Sequence, residues 1–142
     1  MISAEEFDRR LLAIDPQAVD FEPQIDELLA HVDLSKLDEL LRSVFKFFEK
    51  HPLENAGAPG ALVHFAEHYY PSYKARLFAS LSASPSMAAI IMANRILNSS
   101  LSPSERIEYL SALEEVVANP KASPIVQDRA QHFLAYQSAR SA

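Results

Sequence analysis

Residues 64–68 read His64-Phe65-Ala66-Glu67-His68. Two histidines four apart share one face of a helix, and a glutamate stands between them. This is the H-x-x-E-H order of an inverted zinc-protease motif, in which the histidines hold the metal and the glutamate moves a proton of the metal-bound water. Such a centre needs a third ligand, commonly a later carboxylate, and an open position for water. Glu108, Glu114 and Glu115 are the donors on offer, two elements further along, and no spacing fixes them opposite His64. A pattern with three fixed positions in five residues is met often by chance. At ~100° per residue, Leu62, Phe65, Ala66 and Tyr69 point one way and His64, Glu67 and His68 the other. The expectation is an outward polar patch that holds a metal, meets a partner or faces water.

Other catalytic arrangements are missing. The chain has no cysteine, so it has no thiolate metal site, thiol nucleophile or disulfide. It has no glycine-rich phosphate loop and no G-x-S-x-G elbow. Carboxylates are abundant, but none is paired in an apolar setting that would raise one pKa for acid–base work. The expectation is a protein that is not an enzyme and uses no metal or cofactor. A zinc-dependent hydrolase through His64, Glu67 and His68 is kept as a competing reading.

The elements that carry these residues read as helices throughout. Two glycines in 142 residues leave little turn material for an all-β fold, and helical periodicity recurs where strand alternation does not. Ser3 and Glu6 form a capping box ahead of a helix to about Ile14. A second helix spans roughly 22 to 32. From Leu34, the residues Leu37, Leu40, Leu41, Val44, Phe45, Phe47 and Phe48 make one wide apolar stripe, with Glu39, Arg42, Ser43, Lys46 and Lys50 opposite. The stretch 51–60 is the strongest break. Pro59 opens a helix to about Tyr70, Pro71 interrupts it, and Ser72 to Ser82 forms another. Ser84-Pro85, Ser102-Pro103 and Ser123-Pro124 each place an N-cap serine before a proline at the first helical position.

One helix and a short loop fill each interval between these prolines, so neighbours pack antiparallel. The fold class expected is all-α, either a short HEAT-like α-solenoid or an irregular bundle of about eight antiparallel helices. A single domain covers 1–142, with acidic helices in 1–50 and helical repeats in 59–140 grouped as 59–82, 85–118 and 124–140. The helix over 85–98 is apolar on nearly every side and must be enclosed. Its polar residues Asn94, Arg95 and Asn98 lie on one stripe. A near-buried arginine requires a carboxylate, so Arg95 is expected to clamp an acid while Asn94 and Asn98 hold helix ends or loops.

Charge is uneven. Residues 1–39 hold eleven acids against three bases, a balance of −8, while the remainder carries +2 and the whole chain −6. An acidic first third argues against direct nucleic-acid binding, which needs a basic footprint, and suits a basic protein partner. A solvated acidic face is the plain alternative. The helix from Pro103 has a similar face in Glu105, Glu108 and Glu115, with Leu110, Leu113 and Val117 as its inner stripe. MISAEEFDRRLLAID is charged from its first turns, and no apolar run reaches the ~18 residues a bilayer span needs. A cytoplasmic protein without a membrane segment is expected.

The centre of the chain carries a longer pattern: Gly57-Ala58-Pro59-Gly60, then Leu62-Val63-His64 with Glu67, then Tyr69, Tyr70 and Tyr73, the Ser80-Leu81 step, Pro85-Ser86, and Asn94-Arg95-Ile96-Leu97-Asn98. Over residues 45 to 100, and loosely over the last 40, this resembles the small HEAT-like, all-helical immunity proteins of bacterial polymorphic toxin systems, of the contact-dependent inhibition and type VI kinds. The first 35 residues do not match. Ala83-Ser84 stands where the pattern has a basic residue, tryptophan is missing, and His68 is no fixed part of the pattern. The resemblance implies a non-enzymatic protein that binds one cognate toxin domain, a nuclease being one candidate, and blocks it. Partner-binding residues are then expected among Asp20, Glu22, Asp26, Glu27, His64, Glu67, Glu105, Glu108 and Glu115. A HEAT-like adaptor with another protein partner is the alternative.

Overall fold

The computed structural model describes residues 1–54 and 60–141. Eight α-helices are described: α1 (Ala4–Ala13), α2 (Phe21–Leu29), α3 (Leu37–Lys50), α4 (Ala61–Glu67), α5 (Lys74–Ala83), α6 (Met87–Leu97), α7 (Pro103–Ala118) and α8 (Pro124–Ser141). The all-α expectation holds: no strand is present among the described residues, only one isolated bridge between Ile2 and Val32.

The helix starts follow from local chemistry. Ser3 Oγ accepts from the Glu6 N–H at 3.0 Å, which supplies half of the expected capping box. The other half is not made, because the Glu6 carboxylate accepts from Arg9 and Arg10. Those guanidinium hydrogen bonds hold its pKa down at about 2. Ser102 caps α7 with Pro103 in its first turn, and Ser123 Oγ accepts from Val126 N–H at the start of α8, both as expected. At α6 the cap is Ser86 and not Ser84: Ser86 Oγ accepts from Ala89 N–H, and the Met87 N–H donates to Pro52 O at 2.7 Å. Pro85 therefore precedes the helix. Gly60 is the N-cap of α4; the expected start at Pro59 lies outside the described residues. Leu34–Lys36 forms a 3-10 turn before α3. Ser43, expected on the polar side of α3, is buried and donates to Asp8 Oδ1 at 2.7 Å, which satisfies its hydroxyl across the α1–α3 contact.

Neighbour relations divide the helices into two rows. α1 packs on α3, α3 on α5 and α5 on α7; α2 packs on α4, α4 on α6 and α6 on α8. Consecutive helices α1–α2, α3–α4, α5–α6 and α7–α8 join the rows as hairpins. This is the connectivity of a short α-solenoid. α6 also packs on α7, the pair expected over 85–118, whereas α4 of the expected unit 59–82 packs on α2, α3 and α6.

The buried apolar side chains form one continuous cluster from Phe7 to Ala130. Its centre is α6, where Met87, Ala88, Ala89, Ile90, Met92, Ala93, Ile96 and Leu97 are all buried. On α7 the buried line is Tyr109, Ala112, Leu113 and Val116. That is rotated from the expected Leu110–Leu113–Val117 stripe, because Tyr109 reaches inward under Phe78, with ring centroids 4.8 Å apart. Ile90 is fully enclosed and Ile107 is 63% exposed. Chemical denaturation should therefore show Ile90→Ala losing about 2–4 kcal/mol and Ile107→Ala less than about 0.5 kcal/mol.

Candidate functional site

On α4 the core-facing line runs through Leu62, Val63 and Ala66, all buried. Val63 moves this line away from the expected Leu62–Phe65–Ala66–Tyr69 face. Glu67 then sits roughly 90° from it and turns toward α6 instead of pointing outward. The carboxylate of Glu67 accepts two hydrogen bonds from Arg95, from Nε at 2.6 Å and Nη2 at 3.0 Å. Forked contacts of this kind are the strongest form of carboxylate–guanidinium pairing. The expected clamp on Arg95 is real, and its acid is Glu67. Arg95 is less buried than expected, its side chain being 37% exposed against 20% for Glu67. His64 and His68 face out, with His64 Nδ1 at 3.7 Å from Glu67 Oε1, beyond hydrogen-bond distance.

This geometry separates the three letters of the zinc-like motif. Both oxygens of Glu67 are engaged by Arg95, so the carboxylate is directed to α6 rather than to the two histidines of the motif. Among the described residues no group of three or more His, Cys, Asp or Glu is placed to hold a metal ion. Glu108, one of the candidate third ligands, lies against Lys74 at 3.4 Å.

The Glu67–Arg95 pair forms one wall of an open pocket of about 490 Å³, completed by Tyr70, Tyr73, Ile96, Asn98 and Ser99. Tyr73 and Tyr109 are the two largest fully buried side chains. The Tyr70 and Tyr109 hydroxyls meet at 3.2 Å, and the Tyr70 and Tyr73 rings pack edge to face at 5.6 Å. Burial pushes the pKa of both Tyr73 and Tyr109 up, with the Glu67 charge adding to the first and the Tyr70 hydrogen bond to the second. Their hydroxyls stay protonated, and the pocket presents the exposed Tyr70 beside an arginine already matched by a carboxylate. Such a surface receives a hydrogen-bonding or flat side chain without leaving a charge unpaired.

Asn94 and Asn98 hold α8, as their expected structural role requires. Gln137 Nε2 donates to Asn94 Oδ1 at 2.8 Å and to Asn98 Oδ1 at 2.9 Å, and Arg140 Nη1 donates to Asn98 Oδ1 at 2.8 Å. Arg106 donates to Leu97 O and Gln137 O. Gln137 and Arg106 were not singled out in the sequence. Gln137 was open to recognition, because Val126, Ala130 and Gln137 follow one helical face and Gln137 is fully buried with the other two.

The acidic candidates are dispersed. Glu22 is half-buried and has a structural role: its Oε2 accepts from the Ala61 N–H at 2.9 Å and fixes the first turn of α4. Asp20 accepts from Gln24 in its own helix. Asp26 and Glu27 are exposed on α2, with Glu27 3.3 Å from His31. Glu105 and Glu108 gather around Lys74, at 3.9 and 3.4 Å, and that ammonium also lies over the Tyr109 ring. Glu115 is exposed on α7. The α2 and α4 residues therefore share the even row, and the α7 glutamates stand on the odd row.

Two measurements check this arrangement. Glu67→Ala removes both acceptors of Arg95 and should cost about 1–3 kcal/mol, the partial exposure of the pair keeping it below a fully buried one, while His64→Ala should stay within about 0.5 kcal/mol. In an alkaline absorbance titration of the five tyrosines, Tyr73 and Tyr109 should resist ionisation near the ordinary value of 10.0. Because their pKa is raised on folding, the stability they contribute is complete below that value and is lost as the pH rises above it.

No family model matches the chain, and no curated protein or solved structure matches it either.

Proposed function

We propose that the chain is a cytoplasmic immunity protein: a non-enzymatic inhibitor that binds one cognate toxin domain of a bacterial polymorphic system and occludes it. One observation carries this reading. Residues of the central pattern that are far apart in sequence, namely Glu67, Tyr70, Tyr73, Arg95 and Asn98, line the same open pocket. Side chains that served only to hold α4 against α6 would not need to leave a concavity of about 490 Å³ beside them. An aromatic-walled pocket with hydrogen-bonding groups is the kind of feature that accepts an anchoring side chain of a protein partner.

Charge is consistent with a basic partner. Asp26 and Glu27 on α2 are exposed on a chain of net charge −6. Such acids speed encounter with a basic partner, such as a nuclease active site, and the pocket supplies the short-range fit. An adaptor with some other protein partner is favoured by a different observation: Ile125 and Tyr136, which share one face of α8, are 58% and 49% exposed, and apolar side chains exposed together mark interaction surfaces.

Co-expression with the toxin encoded immediately upstream separates the two. The immunity reading expects restored growth and a 1:1 complex that survives purification. Tyr70→Ala should weaken that complex by about 1.4–2.7 kcal/mol, roughly 10- to 100-fold, while Glu115→Ala leaves it unchanged. A toxin that neither co-purifies nor is neutralised contradicts it.

A further inference from the structure

The odd row carries a second depression, about 360 Å³ in volume, between α3 and α5. Small residues make it. On α5, Ser80 and Ala83 stand where a larger side chain would close the gap, and the Phe45 ring of α3 forms an apolar wall. Three cations rim it, Arg42, Lys46 and Arg76, against the one carboxylate of Glu49. The lining alone sums to +2 on a chain of net charge −6, and the Asp8 and Asp38 carboxylates that meet Lys46 and Arg76 lie outside it. The charges are not locked into the fold. Arg42 is exposed and has no ion pair among the described residues. Lys46 meets Asp8 at 3.4 Å with its own side chain 57% exposed, and Arg76 meets an Asp38 that is 78% exposed. Surface pairs of this kind are weak and easily exchanged.

The floor supplies an independent observation. Ser80 is only 2% exposed, and its Oγ has no hydrogen-bond partner among the described residues. A buried hydroxyl left without a partner is unfavourable. The Oγ is closed to solvent as it stands, so a ligand oxygen on the floor of the groove relieves it after rotation of the Ser80 side chain about χ1, while remaining within the field of Arg42 and Arg76. Ser80 is also the serine of the Ser80-Leu81 step, which the α4–α6 pocket does not use.

We propose that the α3–α5 groove is a binding site for a small organic anion, with an oxyanion head, carboxylate or phosphate, directed to Arg42, Arg76 and the Ser80 hydroxyl and an apolar body lying against Phe45. The volume argues for the body. At a share of about 30 Å³ for each water, the groove is several times larger than a bare oxyanion.

Phenyl phosphate and benzoate, titrated into isotope-labelled protein at low salt and followed by amide NMR shifts, test the site. At least one should bind saturably, with its shifts centred on residues 42–49 and 76–83, and the tighter of the two identifies the head group. Affinity should fall about tenfold or more in Arg42→Ala and about threefold or more in Ser80→Ala, a change small enough to leave the fold intact, and should fall steeply with added salt. Benzyl alcohol and inorganic phosphate should each bind at least tenfold more weakly than that ligand. Lack of saturation with both aryl anions, equal binding by either control, or unchanged affinity in both variants overturns the proposal. Tyr70→Ala should bind the anion as the parent does, so the outcome is independent of toxin binding through the α4–α6 pocket.

Discussion

A helix that is apolar around its circumference can exist in water only if other elements enclose it, and α6 imposes that condition on this chain. It packs against α3, α4, α5, α7 and α8, so the two-row stack is arranged around it. Enclosure leaves one difficulty, the polar stripe Asn94, Arg95 and Asn98. Each of its members is matched by a specific group from a neighbouring helix. Glu67 of α4 takes Arg95 at two points, and Gln137 of α8 bridges the two asparagines. The same contacts that satisfy α6 therefore fix where α4 and α8 sit, and the Glu67–Arg95 pair forms one wall of the open pocket.

Much of this was legible in sequence, and the failures have physical causes. The apolar circumference of α6 announces its burial, and a cation on a buried helix announces a carboxylate partner. Which carboxylate was not legible, because the identity of a partner 28 positions away depends on the angle at which two helices cross. The outward placement of Glu67 failed for a narrower reason. Helix phase was centred on Leu62, Phe65, Ala66 and Tyr69, whereas Val63 is buried and Phe65 only partly so, and one residue of phase carries Glu67 to the flank. Ser86 displaced Ser84 as a cap because the α6 start is tied to Pro52 O, a tertiary contact with no local signature. Glu22 was read as a surface acid because its acceptor role toward Ala61 N–H links segments 39 residues apart.

The charge distribution gives the two rows different characters. The even row presents α2 acids and a charge-matched pocket, and the odd row presents the cation-rimmed groove between α3 and α5. Charge reaches further than shape, so in the proposed function the acids would act on the approach of a partner and the pocket on its retention. The α7 glutamates are partly consumed by Lys74, which ties Glu105 and Glu108 to the aromatic cluster of Phe78 and Tyr109. A surface acid that is holding a neighbouring helix in place is a weaker candidate for partner contact than one that is not.

The proposed seat of a protein partner is the face formed by α4, the following turn and the C-terminal part of α6. Hydrogen–deuterium exchange of the chain alone and with the toxin domain encoded upstream measures this directly. Protection concentrated in residues 61–73 and 94–99, with the Glu115 surface of α7 unaffected, is the predicted footprint. Protection confined to the odd row or to the outer surface of α8, or no protection at saturating toxin, would contradict it.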